Sequence, residues 1–348
     1  MTNTTEWITR SVSRLRSGAP STDKAPKASK PAADKPLADK QVADGAATKV
    51  PAPRSTHERL QATLRRGNES LSPRALRRLL ADLQDVVAPQ VSELEGGRRA
   101  QVVAGWYGQA EPEERRDMWL LLCEQFAPDA TRFQSARQRY EAAAGTADEG
   151  QAEISLRRAL VSPRTRLMQR FAVFPEGMRF LVDLRAELLP QLKSDKRLVA
   201  LDADLEHLFS TWFDVAFLEL RRLSWDSPAS LIEKLIKYEA VHDIRSWADL
   251  KNRLDSDRRC YGFFHPRLPN EPLIFVEVAL VDRISSSITP LLDEAAAPTD
   301  ISRASTAIFY SISNTQTGLR GVSFGDSLIK HVVETLCAEF PRLRTFAT

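Results

Sequence analysis

One change of period in the hydrophobic pattern constrains this chain more than any other feature. Up to about residue 221 the apolar residues recur every three or four positions, as on a helix face; beyond about 222 they gather into short β-branched runs. In the first stretch, Ser72-Pro73 supplies an N-cap and a first-turn proline. Leu76, Leu79, Leu80, Leu83, Val86 and Val87 then form one apolar face, with Arg77, Arg78, Asp82 and Asp85 expected to point to water. Met118 to Cys123 is apolar almost all round, the pattern of a central buried helix. Ser162-Pro163 opens another helix through Leu167, Met168 and Phe171, and Gly145 to Gly150 reads as a loop. The spacing predicts a bundle of about five to seven helices, with further helices over about 176–193 and about 201–221.

Beyond 222 the expected order is strand, two helices, three strands, loop, helix, strand. Arg222 to Trp225 is a short strand, and Asp226-Ser227-Pro228 caps a helix carrying Leu231, Ile232, Leu235 and Ile236. Ser246 opens a second helix to about Leu254. Arg259–His265 and Pro272–Val281 are strands joined by the proline-rich turn Pro266 to Pro272. The run Leu273 to Val281 is continuously apolar but for Glu277, as in a strand covered on both faces. Thr306–Ser313 is a further strand, Gly325–Phe340 an amphipathic helix that includes Cys337 on its apolar side, and Leu343–Thr348 a last strand. The fold class is therefore α+β: an all-α helical bundle, then a mixed α/β domain with a mostly antiparallel sheet and one β-loop-α-β crossover. The expected division is a tail over 1–54, a helical bundle over 55–190 and the mixed domain over 191–348.

The tail carries six of the 20 prolines and Ala/Lys/Asp-rich repeats without apolar spacing, so it is expected to be disordered. Its first residues are polar and basic, with no apolar signal-peptide core. The compartment expected is the cytoplasm, with organellar targeting by the tail as the open alternative. No run of about 18 uncharged apolar residues exists, which argues against a bilayer-spanning helix. The net charge of +3 is small and interspersed, which argues against a nucleic-acid partner. Cys123, Cys260 and Cys337 stand far apart and read as small core residues of a reducing compartment. The five histidines show no metal spacing, so no metal site is expected.

The most informative local chemistry is Gln316-Thr-Gly318-Leu-Arg320-Gly321-Val322-Ser323-Phe324-Gly325-Asp326-Ser327, between a strand and a helix. Its glycines allow close ligand approach to the main chain, the following helix presents unpaired N–H groups, and Arg320 adds charge. No Gly-Lys-Ser/Thr follows, so it is not a Walker A loop, and no ribose-binding acid of a dinucleotide fold is evident. On spacing alone it is either a phosphate cradle or a glycine-rich helix start. Asp326 and Ser327 are then expected as helix caps.

The pattern Q-x-G-x-x-G-x-x-x-G between strand and helix resembles the coenzyme A pyrophosphate loop of the GNAT acetyltransferase fold. The longer runs 208–254, 258–280 and 307–330 resemble the malonyl-CoA decarboxylase family, strongly over about 170–348 and more loosely from about 60. That resemblance implies a helical domain involved in self-association and a GNAT-like domain converting malonyl-CoA to acetyl-CoA and CO2 with no metal or organic cofactor. It implies that Arg320, Gly321, Val322, Ser323, Phe324, Gly325 and Asp326 hold the coenzyme A moiety, with the amides of Val322 to Gly325 on the pyrophosphate. The family's serine motif S-P-I-P-G-F and histidine motif F-H-x-x-N-G-A do not occur in these 348 residues. No catalytic residue is therefore assigned, and the 348-residue chain by itself is expected to be incomplete at its C-terminus, inactive or nearly so, and prone to association. The alternative is a non-catalytic module that binds coenzyme A or self-associates. His265 and His242 read as turn, core or helix-end residues, and Ser311 and Ser313 as strand residues with a smaller claim on substrate contact.

Overall fold

The fold is seen in a computed structural model that describes residues 70–322 and 327–348. The tail expected over 1–54 lies outside those residues. Ser72 caps α1 (Pro73–Val86) by accepting from the Ala75 amide, and the five positions Leu76, Leu79, Leu80, Leu83 and Val86 are buried. α2 (Glu93–Gln109), α3 (Pro112–Gln125), α4 (Ala130–Ala143), α5 (Glu149–Leu160), α6 (Pro163–Phe171), α7 (Gly177–Leu188) and α8 (Val199–Trp212) follow. α3 is the buried central helix, with Met118, Leu121 and Leu122 fully enclosed. Ser162 stands before α6 as expected, but its hydroxyl donates to Asp204 Oδ2 at 2.7 Å rather than capping the helix.

The helix expected to run to about residue 221 stops at Trp212. Phe213 ends it, and the Asp214 carboxylate accepts from the Ala216 amide at 2.8 Å, starting a one-turn 3-10 segment. The residues beyond form β1 (Glu219–Leu223) and pair antiparallel with β2 (Arg258–His265). Their apolar spacing fits a helix equally well, and the pairing partner lies some forty residues on, beyond the reach of a local pattern. Ser224 to Ser227 form a turn, so the helix α9 (Ala229–Tyr238) begins after Pro228 without a side-chain cap. Ser246 caps α10 (Trp247–Arg253) as expected.

β3 (Leu268–Val281) is longer than expected, because only Pro266-Arg267 turns the chain and two register shifts absorb the prolines that follow. β4 (Thr306–Asn314) pairs antiparallel with β3, and α11 (Ser327–Glu339) carries the chain over to β5 (Thr345–Ala347), parallel to β4. The sheet order is β1-β2-β3-β4-β5. The α+β class thus stands, with helices first and a mixed sheet after. One continuous apolar core joins the helices to one sheet face, from Leu71 to Leu343. The other face is covered by α9 and α10 through Ile232, Leu235 and Leu250. Cys260 is a buried core residue, Cys123 is half-buried, and Cys337 is exposed. The buried stripe of α11 is Leu328, Val332 and Leu336, so Cys337 falls one position off it. No helix among the described residues is long and apolar enough to cross a membrane.

Candidate functional site

The glycine-bearing loop leaves the end of β4 and is anchored before it turns. The Thr315 amide donates to Leu273 O at 3.0 Å, its hydroxyl donates to Pro272 O, and Gln316 Nε2 donates to the same carbonyl at 3.0 Å. Arg179 of α7 donates from Nη1 to Gln316 Oε1 at 2.6 Å and pairs with Asp183. Thr317–Leu319 then makes a 3-10 turn.

Two glycines explain themselves. A Cβ on Gly318 would lie 1.9 Å from Val182 O, so only glycine lets the turn lie against α7. Gly321 has φ +85°, a conformation side chains resist. Between them, Arg185 of α7 reaches under the loop: Nη1 donates to Gly318 O at 2.9 Å and to Arg320 O at 2.8 Å. Arg185 is itself held by Asp202 of α8 at 2.8 Å and Glu206 at 3.4 Å.

Of the residues assigned to ligand from sequence, the structure describes three. Arg320 is exposed, and its guanidinium pairs with no acidic residue among the described residues. Gly321 is exposed. Val322 is buried, and its amide donates to Leu319 O at 3.0 Å. Ser323, Phe324, Gly325 and Asp326 lie outside the described residues, as does the capping expected of Asp326 and Ser327.

Beside the loop is a cavity of about 340 Å³ bounded by Arg179, Asp183, Tyr238, Thr315 and Gly318. It adjoins a second, of about 590 Å³, between Pro175 and the residues Pro266 to Asn270 at the β2–β3 turn and the start of β3; Arg179 and Glu271 line both. Among the described residues no group of three or more His, Cys, Asp or Glu could hold a metal ion.

The secondary candidates are engaged in structural bonds. His265 is buried; its Nδ1 accepts from the Arg267 amide at 3.1 Å, and its ring lies 4.9 Å from that of Phe213. Burial lowers its pKa, partly offset by its bond to the Trp212 backbone. His242 follows α9, and its amide donates to Glu239 Oε1 at 2.9 Å. The Ser311 hydroxyl donates to Glu239 at 2.7 Å, and Ser313 Oγ accepts from the Ala240 amide at 3.2 Å.

Sequence reasoning missed Arg185 and Arg179. The signal was present for Arg185: it shares the inner arc of α7 with Leu181 and Leu188, at helical spacing, where a cation must find acceptors.

Two family descriptions match this chain. The malonyl-CoA decarboxylase N-terminal domain covers residues 126–213, and the malonyl-CoA decarboxylase C-terminal domain covers 216–348. Mitochondrial malonyl-CoA decarboxylase of Mus musculus is 38% identical over 263 residues, 72% of this chain and 53% of that protein. That of Anser anser anser is 40% identical over 198 residues, 55% of this chain and 39% of that protein. The crystal structure of malonyl-CoA decarboxylase from Rhodopseudomonas palustris superposes with a TM-score of 0.70 at 42% identity, covering 78% of this chain and 65% of that one. That from Agrobacterium vitis gives 0.72 at 39%, covering 77% and 64%. The chain thus spans about half the length of the mouse protein it matches.

Proposed function

The chain belongs to the malonyl-CoA decarboxylase family, and from that premise we propose that it binds malonyl-CoA and acetyl-CoA, with the loop from Arg320 to Asp326 holding the coenzyme A diphosphate. The observation that carries this reading is the backbone at Gly318 and Gly321. One glycine presses the turn against α7, and the other bends the main chain at positive φ. An exposed guanidinium, Arg320, stands between them. Main-chain N–H groups and a fixed cation are the donors a diphosphate requires.

The reaction in this reading is loss of CO2. The bond between the carboxylate carbon and C2 of the malonyl group breaks, its electron pair forms the thioester enolate, and a proton is then delivered to C2. The site must stabilise the enolate oxygen and supply that proton. The loop's part is to hold the carrier so that the malonyl end is fixed. The family's self-association belongs to the same reading. It is supported by exposed Ile154, Leu160 and Val161 on and after α5 of the α4–α5 hairpin.

A second reading is favoured by the engagement of the local proton carriers. His265 and Ser311 are buried and committed to internal hydrogen bonds. On that reading this chain is a coenzyme A-binding module without turnover. Titration calorimetry with coenzyme A, followed by incubation with malonyl-CoA and measurement of acetyl-CoA and CO2, separates the two. Binding is expected in both; product formation rejects the second, and absence of binding rejects both.

A further inference from the structure

Arg185 lies in α7, 133 positions before Gly318 in sequence, yet it is 1% exposed and makes its shortest loop contacts to main-chain carbonyls. Its cation is balanced by Asp202 and Glu206, so it is not placed as a phosphate ligand. What it controls is orientation. In a trans peptide the C=O and N–H point to opposite sides of the chain. With Arg320 O drawn to Arg185 Nη1 at 2.8 Å, the N–H of Gly321 faces away from α7. That N–H has no acceptor among the described residues, and Gly321 is exposed. Val322 differs: its N–H is bonded back to Leu319 O.

We propose that Arg185 is a positioning residue for the loop, fixing the 320–321 peptide so that the Gly321 N–H is presented to the diphosphate of a bound coenzyme A thioester. The helical region thereby becomes part of the ligand site without touching ligand. This rests on the loop reading above. Lysine at 185 would keep the charge beside Asp202 and Glu206. A single ammonium cannot reproduce a planar fork that serves Asp202 from Nε and two carbonyls from Nη1.

The experiment measures affinities of the 348-residue protein and its Arg185→Lys variant for two probes, coenzyme A and pantetheine, which carries no phosphate. The expected result is roughly tenfold weaker coenzyme A binding with pantetheine binding unchanged, so that discrimination between the probes collapses. A purely structural role would weaken both alike; that result, or no change in either, overturns the proposal. A measurement on the unaltered protein covers the case in which the variant does not fold. The sequence has two Arg-Gly pairs, Arg66-Gly67 and Arg320-Gly321, so labelling arginine carbonyl carbon and glycine nitrogen isolates two amide resonances. Coenzyme A is expected to shift one of them, and pantetheine to leave it in place. No shift in a protein that binds coenzyme A overturns the inference alone, whereas absence of coenzyme A binding overturns the loop reading itself.

Discussion

Toward the helices the sheet presents Tyr261, Phe263, Val276, Val278, Ala307 and Phe309, all within one apolar core. Its opposite face, equally buried, carries Cys260, Glu277, Ser311 and Ser313. There the apolar side chains form two small clusters, one around Leu223 and Phe275 and one around Ala279 and Tyr310. Ionisable groups lie among them. Arg253 donates from Nε to Asp249 Oδ1 at 2.8 Å and from Nη1 to Glu277 Oε2 at 3.1 Å. Glu239 accepts from Ser311 Oγ and from the amides of Val241 and His242. A register shift in the β3–β4 pairing inserts Tyr310 and brings Ser311 opposite Glu277. Apolar packing has no direction and tolerates exchange of similar shapes. A buried charge is stable only while every partner is in place. One face therefore joins α1–α8 to the sheet, and the other fixes the strand from which the glycine-bearing loop departs.

The contrast breaks most visibly at Arg253. Arg253→Met leaves the Asp249 and Glu277 carboxylates without their shared cation, and about 3–5 kcal/mol of stability should be lost by urea denaturation. Loss below about 1 kcal/mol would mean that the network is not what organises this face.

Next comes Glu277. Burial lifts its pKa from 4.5 to about 7, against the opposing pull of Arg253. The sign follows from linkage: the neutral acid is favoured in the folded state, so this stabilisation is complete below about pH 4.5 and is lost as pH rises through about 7. Glu277→Gln should remove up to about 3 kcal/mol of pH-dependence across that window. Parallel pH profiles of the urea midpoint for the two proteins would contradict it.

The apolar face sharpens the comparison from the other side. Ile312→Leu, on β4 and packed against the same core, should cost less than about 1.5 kcal/mol, with no change in the pH profile. A larger loss, or a new pH dependence, would show that the two faces are coupled through β4.

The same division explains what could be read from the sequence. The β3 run and the apolar stripe of α1 are local patterns and were legible, as were the Ser72 and Ser246 caps. The end of α8 was not, because the residues after Phe213 continue a helical spacing and become a strand only through pairing with β2. At the site, the glycines were legible as points of close approach. Val182 O, the group Gly318 approaches, lies 136 positions earlier in the chain, and Arg185 is as remote. Buried arginines recur in this role: Arg164 binds Cys123 O near the end of α3, and Arg258 binds Leu291 O, 33 positions further on. Each reads locally as an ordinary surface charge, and its burial is decided by a carbonyl supplied from another part of the chain.

The smallest effect tests the polar face at its most redundant point. Ser311→Ala removes one donor to Glu239, whose Oε1 retains the Val241 and His242 amides at 2.8 and 2.9 Å. The loss should therefore be near that of a single hydrogen bond, about 1 kcal/mol, rather than that of an abandoned charge. Ser313 Oγ, 3.2 Å from Ser311 Oγ and bonded to the Ala240 amide, limits the loss further, because it can turn its proton toward the space left behind. Urea denaturation of Ser311→Ala, Ser313→Ala and the double variant measures this directly. Single losses near 1 kcal/mol, with the double exceeding their sum, are expected if the hydroxyls substitute for one another. Strict additivity would mean that each serine acts alone, and that this face is a set of independent bonds rather than a network.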